Sequence, residues 1–395
     1  MRNLLLLSVG LTTLLACSQS SDNNPEQPAV VASQIVTVNK QAHVNPLLGL
    51  PSVPIPADNP QTPEKISLGE TLFHDQRFSI DGTVSCANCH GKKLAFTDGL
   101  PVSMGHKRLT GTRNAPTVVN AAFYKTQFLD GREPDLEGQS KQPFINPIEH
   151  GLSDHQAILD IVRTDFSYSA AFLSIFGVSD QELTIDHVAK AIASFERSLI
   201  SGNSAFDRYY FAADNQALSA AQIRGLQLFI GQGRCVSCHT IEQDHALFTD
   251  SRFYNIGIGI NDIQADIPRL IKAFLEAKNQ GGNVDAMVLS DKKTSELGRF
   301  AVTEQLSDIG AFKTPTLRNI VVTAPYMHDG SFKTLKEVII HYNNGGVTPA
   351  DAEANAFLDG GIRPLKLSNE QMDDLVAFMQ ALTSPEYVIV KGARQ

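Results

Sequence analysis

The chain has 395 residues, 42% apolar and 19% charged, with 28 Gly and 19 Pro. That composition excludes collagen-like, disordered and multi-span membrane chains, and the length predicts two domains with a sizeable core. A formal charge of −9 argues against a nucleic-acid partner, and Trp is absent altogether.

In chain order, Met1-Arg2-Asn3 is a short basic start, and Leu4 to Leu15 is an apolar run too short to span a bilayer. Residues 1–16 are therefore expected to be a signal peptide. Leu14-Leu15-Ala16-Cys17 resembles a bacterial lipobox, which implies cleavage before Cys17 and acylation of that residue. With Ser18 following, it also implies a periplasmic lipoprotein sorted to the outer membrane, held by its lipid alone. Residues 17–63, with prolines at 25, 28, 46, 51, 54, 56, 60 and 63, read as a tether or wrapping arm.

Apart from Cys17, every cysteine falls in Cys86-Ala87-Asn88-Cys89-His90 or Cys235-Val236-Ser237-Cys238-His239. Both are the C-x-x-C-H pattern of c-type haem attachment, expected by chance only roughly 0.002 times in a chain of this composition. The spacing suits the chemistry: two thiols add to the haem vinyl groups and the next residue turns its imidazole onto the iron. A redox C-x-x-C would not require His after both copies, and a four-thiolate zinc site would usually bring its cysteine pairs closer in sequence. Two covalent haem c groups are the expectation, with His90 and His239 as proximal ligands.

Further repeats point to duplication. Pro116-Thr117-x-x-Asn120 followed by Asp130-Gly131 is matched by Pro315-Thr316-x-x-Asn319 followed by Asp329-Gly330. Gly69-x-x-Leu72-Phe73 before the first haem motif is echoed by Gly225-x-x-Leu228-Phe229 before the second. Ile185, Val188, Ala189, Ile192, Phe195 and Leu199 predict an amphipathic helix capped by Thr184. Ser219 opens a helix bearing Ile223, Leu226 and Phe229, and Ser368 with Gln371 forms a capping box before Met372, Leu375, Val376 and Met379. The predicted fold is mainly α: two cytochrome c-like haem domains, 64–214 and 215–385, with a tail at 386–395.

Taken together the motifs resemble the bacterial di-haem cytochrome c peroxidase family, which includes MauG. The stretches that carry the resemblance are Leu72-Phe73-His74-Asp75-x-Arg77, Arg113-Asn114-x-Pro116-Thr117, Phe128-Leu129-Asp130-Gly131-Arg132, Gly298-Arg299-Phe300-Ala301-Val302 and Thr323-Ala324-Pro325-Tyr326. The resemblance implies peroxide chemistry at the N-terminal haem and electron relay through the C-terminal one. It also implies a removable distal ligand at His106, a catalytic Gln and Glu at Gln139 and Glu149, and a Ca²⁺ held by Asn114, Thr323 and Pro325. Implied partners are hydrogen peroxide and a donor such as a small cytochrome c, a cupredoxin or a quinol-linked protein, with room for a homodimer.

Two positions depart from the peroxidases proper. Where they carry a Met ligand to the second haem, the register here gives Tyr342, as in the MauG-like branch, on a helix capped by Thr334; Met327 and His341 are rivals. Leu129 stands where the family usually has a Trp between the haems. The expected activity is therefore reduction of hydrogen peroxide to water, with a MauG-like oxidase and a non-enzymatic electron carrier or redox sensor as alternatives. The segment from Asp262 to Ser295 is expected to hold a short helix near Ile267–Leu275, covering the second haem or docking a partner.

Overall fold

The computed structural model describes residue 45, residues 47–347 and residues 355–388. The signal peptide and Cys17 lie outside the described residues. Among the described residues no helix is long and apolar enough to cross a membrane, and the only sheet is a two-stranded antiparallel pair, β1 (Phe253–Tyr254) with β2 (Phe312–Lys313). The remaining regular structure is helical, as the sequence predicts. The principal helices are α1 (Pro63–Phe73), α2 (Ile185–Ser198), α3 (Ala220–Ile230), α4 (Ile267–Asn279), α5 (Val284–Ser290), α6 (Leu335–Asn343) and α7 (Asn369–Gln380).

Local chemistry sets their ends. Thr184, Ser219, Thr334 and Ser368 form capping boxes with His187, Gln222, Glu337 and Gln371, which satisfy backbone N–H groups that a helix start leaves open. Asn283 starts α5 by accepting from Ala286 N–H.

The duplicated glycines decide how the helices pack. A Cβ at Gly69 would stand 1.9 Å from the Ala191 carbonyl oxygen, and one at Gly225 2.0 Å from that of Asp374. Only a hydrogen lets α1 cross α2, and α3 cross α7, at that distance. Behind each crossing sits a phenylalanine trio. Phe73 and Phe195 have ring centroids 5.2 Å apart beside Phe96, and Phe229 and Phe378 are 5.1 Å apart beside Phe248. Each trio anchors its own apolar core, and truncating one such buried ring to Ala costs about 3–5 kcal/mol.

A third core lies in the C-terminal half: Ile260, Ile267, Leu270, Phe274, Val288, Leu297 and Phe300. It is built largely by the segment from Asp262 to Ser295. The helix there runs through Asn279, and the segment packs on the N-terminal half. Thr112 Oγ1 donates to the Val288 carbonyl at 2.8 Å, and Arg113 Nε donates to Ser295 Oγ at 2.9 Å. No residue of 262–295 lines the cavity of the second C-x-x-C-H motif, whereas Leu289 lines that of the first, so the expectation that the segment covers the second haem is corrected.

Residues 47–61 are wrapped onto the protein. The buried Arg318 donates to the Gly49 carbonyl at 2.6 Å and to both oxygens of Asp207, while Asn59 Nδ2 donates to Glu137 at 2.7 Å.

Candidate haem-binding sites

Each C-x-x-C-H sits on a short helical turn at the edge of a cavity, and the repeats around it have a shared purpose. His90 Nδ1 pairs with the Phe96 carbonyl at 3.0 Å, and His239 Nδ1 with that of Phe248 at 2.8 Å. Donating that proton leaves Nε2 of each ring to face the cavity, the arrangement a proximal iron ligand needs. Burial holds both imidazoles below their usual range, which favours the neutral form. Phe96 and Phe248 both have positive φ, and the preceding carbonyls, of Ala95 and Leu247, accept from the Thr117 and Thr316 hydroxyls. Asn120 and Asn319 turn the chain in the left-handed region and bond to the segments after α2 and α7, through Ser201 and Ser384. The Pro-Thr-x-x-Asn repeat is thus a brace for the proximal histidine.

Cys86, Cys89 and His90 line one cavity and Cys235, Cys238 and His239 the other. All four thiols are free, and their separation into two cavities removes the four-thiolate zinc alternative. Asn114, Ala115, Pro116, Thr117 and Leu129 line both cavities, so they form the wall between them. Leu129 is fixed there by its carbonyl, which accepts from Lys313 N–H at 2.7 Å.

Gln139 and Glu149 both border the first cavity. Glu149 Oε2 is buried with no partner among the described residues, and burial, aided by the charge of Asp285 and opposed by Arg132, pushes its carboxyl up to about 8. The loop carrying it is braced from the other half of the chain. Asp285 on α5 pairs with Arg132 and accepts from the Asn146 amide, whose Oδ1 in turn accepts from Ile148 N–H at 2.8 Å and Glu149 N–H at 3.3 Å. Asp130 links Arg132 to Arg113; burial opposes its charge, but the two guanidiniums hold its carboxyl well below the usual range.

His106 does not border this cavity. Its Nε2 pairs with the Pro147 carbonyl at 2.9 Å, its backbone N–H donates to the Glu149 carbonyl, and its ring lies against Gly151, where a Cβ would come within 2.4 Å. Tyr342 and Met327 both line the second cavity, as do Thr323 and Pro325 beside Asn114. His341 does not: its Nε2 faces the Ile256 carbonyl at 2.7 Å. Burial, with the neighbouring Cys235, raises the Tyr342 phenol well above its ordinary value, so a cation is needed to ionise it.

Two residues that shape the first cavity escaped the sequence reading, Glu196 in its lining and Asp285 behind it, bonded to Arg132 and Asn146. Asp285 gives no local signal, because its partners lie more than a hundred residues away. Glu196 gives one: it falls four residues after Ile192, on the apolar stripe of α2, where a carboxylate has no business unless it serves a site.

Residues 63–216 match the di-haem cytochrome c peroxidase family and residues 222–383 the cytochrome c family. The chain is 35% identical over 365 residues to the cytochrome-c peroxidase IdrP1 of Denitromonas iodatirespirans, covering 91% of this chain and 92% of that one. It is 34% identical to the methylamine utilization protein MauG of Methylorubrum extorquens, over 84% of this chain and 81% of that protein. Among solved structures, a MauG-like protein associated with microbial copper homeostasis superposes with a TM-score of 0.69 at 30% identity, over 87% of this chain and 96% of that one. The two haem-binding cavities and a likeness that runs through both of them lead to one conclusion: the protein belongs to the di-haem cytochrome c peroxidase family, oxidoreductases with two haem c groups.

Proposed function

We propose that the protein reduces hydrogen peroxide to water at its N-terminal haem, with electrons arriving through the C-terminal haem from a small donor such as a cytochrome c or cupredoxin. One observation carries this reading: Glu149, whose Oε2 is buried without a partner among the described residues, borders the cavity of Cys86, Cys89 and His90 together with Gln139. The bound haem supplies the redox-active iron at which the O–O bond is broken.

The chain's own residues do the rest. Glu149, protonated at neutral pH, moves a proton to the departing oxygen, and the Gln139 amide orients the peroxide by hydrogen bonding. Asp285 and Asn146 hold the Glu149 loop in place. His106 serves as a gate: with its Nε2 on the Pro147 carbonyl it stands outside the cavity, and closing the gate would require the ring to leave that carbonyl and swing in. Two electrons and two protons convert one peroxide into two waters. In the haem-loaded protein, Glu149→Gln is expected to slow peroxide turnover by about 10²–10⁴-fold with both haems attached. Near-normal turnover would remove Glu149 from the mechanism.

Tyr342 in the second cavity supports a second reading, a MauG-like oxidase acting on a protein or organic substrate. A phenolate ligand favours oxidised iron and lowers the potential. Mixing the fully oxidised protein with one equivalent of peroxide separates the readings. An immediate, long-lived change in the Soret and visible bands supports the oxidase, and a change only after one electron is added supports the gated peroxidase. No response in either case would leave an electron carrier or redox sensor.

A Ca²⁺ near the wall between the cavities belongs to the same proposal. Asn114 Nδ2 is engaged with the Leu100 carbonyl at 2.8 Å, which leaves Oδ1 to join the Thr323 and Pro325 carbonyls as hard oxygen ligands. A periplasmic location, with a lipid anchor at Cys17, completes the proposal: the N-terminal motif supports the anchor, and the likeness to di-haem peroxidases supports the compartment.

A further inference from the structure

The internal duplication allows the two haem cavities to be compared position by position. Gly69 meets Ala191 and Phe195 as Gly225 meets Asp374 and Phe378. One residue beyond each phenylalanine, the same helical position faces each cavity: Glu196 in the first and Met379 in the second. Where the second half places an apolar side chain against its cofactor, the first half places a carboxyl.

Glu196 is only 5% exposed, and its Oε2 is buried without a partner among the described residues. The adjacent Arg197 is committed elsewhere, donating to both oxygens of Glu137 at 2.8 and 3.0 Å. Across the cavity, Arg113 and Arg132 are committed to Asp130, Ser295 and Asp285. Glu149 is the other acid lining this cavity, and the Cys86 thiol is consumed by haem attachment. Burial, with the charge of Glu137 adding to it and Arg197 opposing, pushes Glu196 up to about 8. A group so placed changes protonation when a single charge appears or disappears beside it.

We propose that Glu196 is a redox-linked proton site of the N-terminal haem, binding one proton as that haem accepts one electron and releasing it on oxidation. Ferric haem with an ionised Glu196, plus one electron from the C-terminal haem or a mediator dye and one proton from solvent, gives ferrous haem with a neutral Glu196. The carboxylate stabilises the more positive ferric state and the neutral acid removes that bias. Met379 cannot do this, so the device is confined to one of the two haems. The inference needs only that the first cavity holds haem, and it holds whether the protein reduces peroxide or oxidises another substrate.

The test is a spectroelectrochemical titration of the haem-loaded wild type, Glu196→Gln and Glu196→Met from about pH 6 to pH 9. In the wild type, the reduction equilibrium of the N-terminal haem should fall with rising pH, approaching tenfold per pH unit, ~59 mV for one electron. Both variants should shrink that dependence to what Glu149, the other acid of the cavity, contributes, and leave the C-terminal haem unchanged. Glu196→Met reproduces the side chain that the second half already accommodates, so it keeps the test intact if the Gln variant loads haem poorly. Wild-type and variant curves that run parallel in pH, with both haems attached, would overturn the proposal.

Discussion

Asp285→Asn tests whether the C-terminal half controls the acid at the peroxide site. The Asp285 carboxylate offers two acceptors: Oδ1 to Arg132, whose Nε lies at 2.8 Å, and Oδ2 to the Asn146 amide. An amide has one acceptor, so either Asn146 loses its partner here or Arg132 is left with Asp130 alone, at a cost of about 1–3 kcal/mol in stability. The charge is lost as well, and with it part of what holds Glu149 near 8. At that value roughly nine-tenths of Glu149 is protonated at pH 7; a fall of one unit, worth ~1.36 kcal/mol, leaves about half. In the proposed mechanism the protonated acid is the active form, so the rate should fall as pH rises through this value, and the alkaline limb of the variant should move to lower pH. The measurement is kcat/KM for peroxide against pH in haem-loaded wild type, Asp285→Asn and the charge-retaining Asp285→Glu. Superimposable alkaline limbs for wild type and Asp285→Asn would refute the argument.

Three further outcomes are expected. His106→Ala should abolish any dependence of the peroxide reaction on prior one-electron reduction; a resting spectrum and a lag identical to wild type would mean that no such gate exists. Gly225→Ala puts a methyl 2.0 Å from the Asp374 carbonyl, which must push α3 from α7 and cost about 1–3 kcal/mol. An unchanged denaturation midpoint of the holoprotein would show that this crossing tolerates a side chain. Tyr342→Met should raise the reduction equilibrium of the C-terminal haem more than about tenfold, ~59 mV, in a redox titration. No shift there would show that Tyr342 is not the ligand.

Sequence alone was enough for several features that depend on near neighbours in the chain. The C-x-x-C-H motifs are local covalent geometry, and the boxes at Thr184, Ser219, Thr334 and Ser368 are hydrogen bonds within a single turn. The repeated glycines and the Pro-Thr-x-x-Asn braces recur because the same helix crossing and the same proximal support are built twice. Register against the family also brought Gln139 and Glu149 to one cavity and Tyr342 to the other.

What the chain order could not say is which distant groups face each other across a cavity, since that is fixed by how separate helices pack. Tertiary packing alone laid the 260–309 segment on the N-terminal half and set Asp285 against Arg132 and Asn146. It turned His106 to the Pro147 carbonyl, and it aimed Glu196 and Met379 from equivalent helical positions into cavities of different chemistry. Burial is what gives these placements their effect: a carboxyl that would be an ordinary surface acid on an isolated helix becomes, without a partner and out of water, a group that holds its proton near neutrality.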